Sequence, residues 1–387
     1  MTGPRKKPTS AKEPRQKPKK GPKTKIRVDP HKEFAEAMKA QGVAMVGSLS
    51  NDESISNIRG RIPTGSLALD ALLRNDAEPD GWAGIPMSRL TEIYGPPFIG
   101  KSTLADLIMG EVQRLGGEAV LADTEVSRDR IYSKRLGVDI EKLNYLEFQR
   151  GEMNLENVIT AMYQSIDFWG KNYPNKPVAI VLDALGGTAT REEHEKALGS
   201  GEKAPGPALA AKLMRRASRL FPGRLGGRKI AVVILNHEYE SVGGFGGGFG
   251  SGPRKQTYGG GGVRHAGTLR VQLFSKGNQI KASDGSHLGR EVVARLTKNR
   301  LGVQSIQEAV IPLLHGSGVE NVYTLFADLK KAKIIVTGGS WSCINLDGDV
   351  FKFQGWSELK KKCAEHPTLY DRLTAVWKKV TYADLHV

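Results

Sequence analysis

Two rhythms of apolar residues alternate along most of the chain. Continuous apolar runs at Ala119–Asp123, Val178–Asp183 and Ile230–Leu235 read as strands buried on both faces. Between them, apolar positions recur at helical spacing: Leu104, Leu107, Ile108, Val112 and Leu115, then Leu155 to Trp169, then Leu209 to Leu220. Arg89–Tyr94 is a further strand, and Gly116-Gly117 ends the helix that follows it. The alternation predicts an α/β fold with a mostly parallel central sheet covered by helices. More strands are expected at Thr268–Phe274, Glu291–Lys298 and Gln307–Leu313.

The ends of the chain follow other patterns. An amphipathic helix is predicted from Pro30 to Val46, with Phe34, Met38, Val43 and Met45 as its apolar residues. A polar linker, Ser48 to Ser56, separates it from a core that begins near Ile58, where Pro63-Thr64-Gly65-Ser66 leads into a short helix, Leu67–Leu73. From Asn321 a smaller α+β unit is expected. The predicted division is a basic arm (1–29), a helix and linker (30–57), an α/β core (58–320) and a C-terminal unit (321–387). Two core stretches do not read as packed structure: Thr188–Pro207, and Ser241–Gly262 with its run Gly243-Gly244-Phe245-Gly246-Gly247-Gly248-Phe249-Gly250. Both follow carboxyl ends of core strands, where open α/β sheets bind ligands.

Charge sharpens this division. The 387-residue chain carries a formal +16, and residues 1–28 hold eleven Lys or Arg against one acid, Glu13. Pro4, Pro8, Pro14, Pro18 and Pro22 forbid a helix there, so a disordered, extended arm is expected. It reads equally as a solubility or localisation tail and as a non-specific nucleic-acid arm. No apolar run approaches membrane-spanning length, and no apolar stretch follows the basic N-terminus as in a secretory leader. The two cysteines, Cys343 and Cys363, have no metal or redox spacing. A cytoplasmic protein without a membrane partner is the expectation.

The chemistry centres on Gly95-Pro96-Pro97-Phe98-Ile99-Gly100-Lys101-Ser102-Thr103, which fits G-x-x-x-x-G-K-[ST] between a strand and a helix. Glycines let backbone N–H groups converge on phosphate oxygens, and the helix N-terminus adds its dipole. Lys101 supplies a charge for the β- and γ-phosphates, and the Ser102 hydroxyl suits Mg²⁺. Asp183, closing an apolar strand, is the expected carboxylate partner of that ion; a helix N-cap acid is the alternative. Glu125, just after another strand, is placed to orient a water toward the γ-phosphate, although acids after strands are common on surfaces.

These segments and their order resemble the RecA recombinases, from about residue 58 nearly to the C-terminus. Ile62–Asp70 resembles the family's entry segment and Gly84–Tyr94 its strand before the phosphate loop. Asp123-Thr124-Glu125, followed by Asp129-Arg130-Ile131-Tyr132 and Leu136-Gly137-Val138-Asp139, is similar to its catalytic-Glu segment, which implies that Asp129 and Tyr132 pack on adenine. Val181–Leu185 looks like its Mg²⁺ strand, and Leu314–Val319, with Gly316, like the segment closing the nucleotide site. Lys298-Asn299-Arg300 resembles the segment reaching a neighbouring subunit, so Lys298 and Arg300 are implied catalytic charges acting across an interface. Gly339-Ser340-Trp341-Ser342 onward is similar to the family's C-terminal domain. By this resemblance the two loops correspond to DNA-binding loops, with a flexible lid over the nucleotide as the alternative. Arg191, Lys203, Arg254, Lys255 and Arg264 are placed to meet phosphates, and Phe245, Phe249 and Tyr258 to stack on bases. Lys212, Arg215, Arg216 and Arg219 read equally as DNA support or as a solvated helix face.

The chain also departs from the family's pattern. His237 stands where the family usually has a Gln that senses γ-phosphate; an imidazole can keep that role, and a structural histidine is the competing reading. His265 falls near an interface aromatic, the basic arm is extra, and the acidic C-terminal tail is missing. Such departures suit a divergent, phage-encoded relative. The resemblance implies a DNA-dependent ATPase using ATP and Mg²⁺, forming homo-oligomeric helical filaments on single-stranded DNA and exchanging strands with homologous duplex. It would act in a bacterium or phage-infected host. A RecA-fold motor or loader without strand exchange, and a weakly hydrolysing DNA-coating filament protein, are the alternatives.

Overall fold

The computed structural model describes residues 3, 29–42, 54–75, 83–196, 208–241, 254–282, 284–302 and 307–383. The chain divides into two units, Met1–Asn51 and Asp52–Val387. In the first, α1 spans Pro30–Ala40, with Glu33 in its first turn and Lys39 in its last, each suited to the helix dipole. Its end is earlier than the sequence suggests: a turn follows at Gln41-Gly42, where Gly42 has φ +87°. Val43, Met45, most of the arm and the start of the linker lie outside the described residues.

The second unit opens with β1 (Arg61–Ile62), α2 (Leu67–Leu73), capped by the Ser66 hydroxyl, and β2 (Ile85–Pro86), which pairs with β1. Next come β3 (Leu90–Gly95), α3 (Lys101–Arg114), β4 (Glu118–Asp123), α4 (Arg130–Arg135), β5 (Asn144–Tyr145), α5 (Leu155–Asn172) and β6 (Val178–Asp183). They are followed by α6 (Arg191–Glu195), α7 (Ala208–Leu225), β7 (Ile230–Ser241), β8 (Arg254–Thr257), α8 (Gly261–Ala266) and β9 (Leu269–Phe274). The core closes with β10 (Gln279–Lys281), β11 (His287–Asn299), β12 (Glu308–Leu314) and β13 (Gly318–Val319). The C-terminal part contains α9 (Asn321–Lys331), a sheet of β14 (Val336–Gly338), β15 (Trp341–Leu346) and β16 (Asp349–Phe353), then α10 (Gly355–Glu365) and α11 (Leu369–Ala383).

The main sheet runs β13-β12-β11-β9-β3-β7-β6-β4-β5. From β9 to β5 every pair is parallel. Beyond β9 it continues antiparallel through β11, β12 and β13, and β10 and β8 add antiparallel pairs, so the sheet is mixed. The reason is local: after β9 the chain reverses through short connections, and antiparallel pairing needs no crossover helix.

Alternation along the parallel strands explains their continuous apolar sequence. Val181, Val233 and Leu235 face α3 with Leu104, Ile108 and Val112. Their neighbours Ile180, Leu182, Val232 and Ile234 face α5 and α7 with Val158, Met162, Met214 and Phe221. Helix α7 runs past the expected Leu220, through Pro222, because Phe221 and Leu225 are anchored in that layer and burial outweighs propensity. A third cluster joins Leu325, Leu329, Ile344, Phe353, Leu373 and Trp377 to Ala71 of α2, fastening the C-terminal elements to the core.

Both segments expected to be unpacked contain ordered structure. Thr190 and Glu193 form a capping box that starts α6, and β8 pairs with β7 before the chain turns into α8. Local capping and a strand edge supply the order that loop composition hides. Residues 197–207 and 242–253, with Lys203, Phe245 and Phe249, lie outside the described residues.

Candidate nucleotide site and nucleic-acid loops

The register of the parallel strands gathers the predicted chemistry at one sheet edge. It pairs Gly95 with His237 and Asp123 with Asp183 at adjacent carboxyl ends. Gly95 leaves no room for a side chain: a Cβ there would lie 2.4 Å from the Leu273 carbonyl oxygen. Gly100 caps α3 with φ +104°, a backbone conformation open to glycine, and a Cβ would meet Leu313 at 2.4 Å. Phe98 at the tip of the loop is exposed, whereas Ile99 is buried beneath it.

Lys101 is buried, and its Nζ donates to the carbonyls of Gly95 (3.2 Å) and Pro96 (2.9 Å). Burial lowers its pKa, opposed by the charges of Asp183 and Glu125. The same Nζ lies 3.4 Å from His237 Nδ1, and His237 Nε2 lies 2.6 Å from Glu125 Oε1. With an ammonium donating to Nδ1, the proton of a neutral imidazole sits on Nε2 and is donated to Glu125. Lys101, His237 and Glu125 therefore form one hydrogen-bonded chain.

On the other side, burial raises the pKa of Asp183, opposed by Arg128 and by a hydrogen bond with Ser102. Arg128 bridges Asp183 (2.8 Å) and Asp106 (2.6 Å), and burial pushes Asp106 up to about 6. Arg128 and Asp106 are absent from the sequence-based site. An acid within the apolar pattern of α3 was the available signal, but nothing in the sequence named its partner.

Phe98, Gly100, Thr103, Tyr132, Arg290, Leu313 and Gly316 line a pocket of about 190 Å³. The Tyr132 hydroxyl is 3.2 Å from Thr103 Oγ1, Arg135 donates to the Gly316 carbonyl at 3.0 Å, and Arg290 donates to that of Phe98. Asp129 is committed to capping α4, accepting from the N–H groups of Ile131 and Tyr132.

The remaining predicted residues are more scattered. Lys298 Nζ donates to the carbonyls of Arg264 and His265, satisfying the last turn of α8. Burial, then the charges of Arg300 and Arg270, push its pKa down to about 8. It stands on β11, two strands from the phosphate loop; Arg300 is exposed just beyond. Arg191 is held by Asn157 Oδ1 at 3.1 Å and Lys255 pairs with Glu238 at 3.4 Å. Arg264 is exposed on α8, and Arg254 begins β8. Tyr258 is half-buried against the α5/α7 layer, not free at a loop tip, because the β8–α8 turn folds it inward. Its carbonyl accepts from Asn236, whose amide also donates to the buried Glu92, itself paired with Arg270 at 2.5 Å. Lys212, Arg215, Arg216 and Arg219 on α7 are exposed.

A divalent ion fits the donors present. Mg²⁺ takes few protein oxygens and completes its shell with phosphates and water; Ser102 and Asp183 supply hard oxygens beside the loop. Among the described residues no group of three or more His, Cys, Asp or Glu could hold a metal unaided. No helix of the described residues is long and apolar enough to cross a membrane.

A phosphate loop between β3 and α3, set in a mixed sheet flanked by helices, makes this a RecA-type ATPase fold. The RecA N-terminal domain model matches residues 32–320. Among curated proteins, Protein RecA of Thermus thermophilus is 31% identical over 315 residues, covering 81% of this chain and 83% of its own length. Protein RecA of Aquifex aeolicus is 31% identical over 314 residues, covering 81% of each chain. That of Lactobacillus acidophilus is 31% identical over 313 residues, covering 81% and 77%. The chain belongs to the RecA family, and with it to nucleotide-hydrolysing, DNA-binding ATPases.

Proposed function

We propose that the protein is a divergent recombinase: a DNA-dependent ATPase that forms helical filaments on single-stranded DNA and exchanges strands with homologous duplex. The observation that carries this reading is on β7. There His237 touches both Lys101 and Glu125, while adjacent Asn236 holds the Tyr258 carbonyl on the return arm of the second loop. One strand thus links the phosphate loop to a candidate DNA loop.

In this reading Gly95 to Thr103 cradle the phosphates, and Tyr132, Gly316 and the loop around Asp129 hold the base. Ser102 and Asp183 hold Mg²⁺, which when bound neutralises phosphate charge. Glu125 orients the attacking water and Lys101 stabilises charge on the phosphates. Lys298 and Arg300 reach the neighbouring subunit's γ-phosphate; for Lys298 this means leaving the α8 carbonyls. His237 senses the γ-phosphate, exchanging its hydrogen bond to Glu125 for one to phosphate and freeing Glu125 for water. Arg254, Lys255 and Arg264 meet DNA phosphates with Arg191 and Lys203, and Phe245, Phe249 and Tyr258 contact bases. The division in this reading is a basic arm (1–29), a helix and linker (30–57), the ATPase core (58–320) and a C-terminal unit (321–387).

Purified protein, ATP and labelled homologous oligonucleotides test this: strand exchange is expected, and duplex unwinding without pairing points instead to a motor. The Glu125–His237 bond favours one second reading, a filament protein with negligible turnover. Turnover that single-stranded DNA fails to raise would support it.

A further inference from the structure

Two buried carboxylates from different elements share one guanidinium beneath the phosphate loop. Asp106 lies on α3 and Asp183 at the end of β6; their side chains are 2% and 7% exposed, and that of Arg128 is 11% exposed. Arg128 donates through Nη1 to Asp106 Oδ1 at 2.6 Å and to the Ser102 carbonyl at 3.2 Å, and through Nη2 to Asp183 Oδ2 at 2.8 Å. Ser133 Oγ donates to the other Asp106 oxygen at 2.9 Å. Asp123, at the end of the adjacent strand β4, adds another carboxylate whose Oδ2 is buried without a hydrogen-bond partner. Phosphate-loop chemistry has no use for Asp106. An acid buried on the core side of a helix is unfavourable unless paired, and its pairing here is to the residue that also holds Asp183.

We propose that Arg128 is an internal counter-cation. It satisfies Asp106 and Asp183 together and keeps a free divalent ion away from Asp183, so that the ion enters only with the nucleotide's phosphates. This rests on the reading of Asp183 as the Mg²⁺ carboxylate. While the guanidinium is in place, Asp183 Oδ2 is already engaged, and an ion approaching it meets the cation that holds it. A polyphosphate brings enough negative charge to reverse that balance. Removing the guanidinium leaves uncompensated buried negative charge, which a divalent ion relieves. Arg128 is also three residues from Glu125, so the same contacts pin the loop carrying Glu125 to α3. It is a positioning residue: it touches Asp183, not the reacting atoms.

Thermal unfolding of the full chain, wild type and Arg128→Met, against added Mg²⁺ or Mn²⁺ without nucleotide tests this, with bound Mn²⁺ counted by electron paramagnetic resonance. A ligand that binds only the folded state raises the melting temperature by mass action. The wild type is expected to ignore either ion alone and to respond to Mg²⁺ with ADP. Arg128→Met is expected to melt lower, to recover as either ion is added, and to bind Mn²⁺ stoichiometrically. Arg128→Met combined with Asp106→Leu removes the surplus carboxylate too; it should fold without added ion and lose the recovery. Equal responses of wild type and Arg128→Met to ions alone overturn the proposal, as does an Arg128→Met chain that no ion concentration rescues. A wild type indifferent to Mg²⁺ with ADP overturns the underlying nucleotide reading instead.

Discussion

Replacing His237 by Ala should uncouple hydrolysis from DNA. Glu125 is held by the Nε2–H of His237 at 2.6 Å, and a carboxylate so engaged must give up that bond to orient water. Hydrogen bonds to charged groups contribute about 1.5–3 kcal/mol. The two side chains are 29% and 32% exposed, so water replaces part of the lost bond and the lower end applies. That corresponds to about a tenfold rise in DNA-free turnover, while stimulation by single-stranded DNA falls toward none because the link to Asn236 and the second loop has lost its sensor. Phosphate release at saturating ATP, with and without single-stranded DNA, measures both. An unchanged or lower DNA-free rate, with stimulation intact, refutes the tether.

Glu125→Gln keeps an oxygen for His237 but not the charge; turnover should fall about 10²–10⁴-fold with nucleotide binding retained, read by phosphate release and fluorescent-nucleotide titration. Asp70, pushed up to about 7 by burial, keeps its proton in the folded chain where an ordinary unfolded carboxyl has lost it. The stabilisation is complete below the ordinary carboxyl value of 3.8 and is lost as pH rises through about 7. Asp70→Asn keeps the acceptor for the Thr64 N–H and should flatten the decline in melting temperature over that range. Trp377, buried in the third cluster and donating to Asp328 Oδ2 at 2.8 Å, should cost about 3–5 kcal/mol when replaced by Ala, seen in urea unfolding.

Much of the site was legible because its signals are local. Gly95 to Ser102 carry their meaning in spacing, and Asp183 and Glu125 in their position after apolar strands. What joined Tyr132 and Gly316 to the same pocket was family resemblance, since no periodicity connects residues so far apart. The Arg128–Asp106 pair escaped for a related reason: distant charges leave no pattern until the fold brings them together. Glycine content misled at β8 and α8, where edge pairing orders the chain, and Tyr258, expected to stack on bases, is half-buried by the turn. The antiparallel strands β11 and β12 were visible as strands, the two-residue β13 was not, and their direction depends on connections that apolar spacing does not encode.

The proposed function requires nucleotide and DNA to act on one another through β7. ATP hydrolysis by the purified chain, with and without single-stranded DNA and with the products viewed by electron microscopy, tests it most directly. Turnover should rise on adding DNA, on helical filaments that form with ATP and DNA together. Turnover indifferent to DNA, from protein that forms no filament, would contradict it.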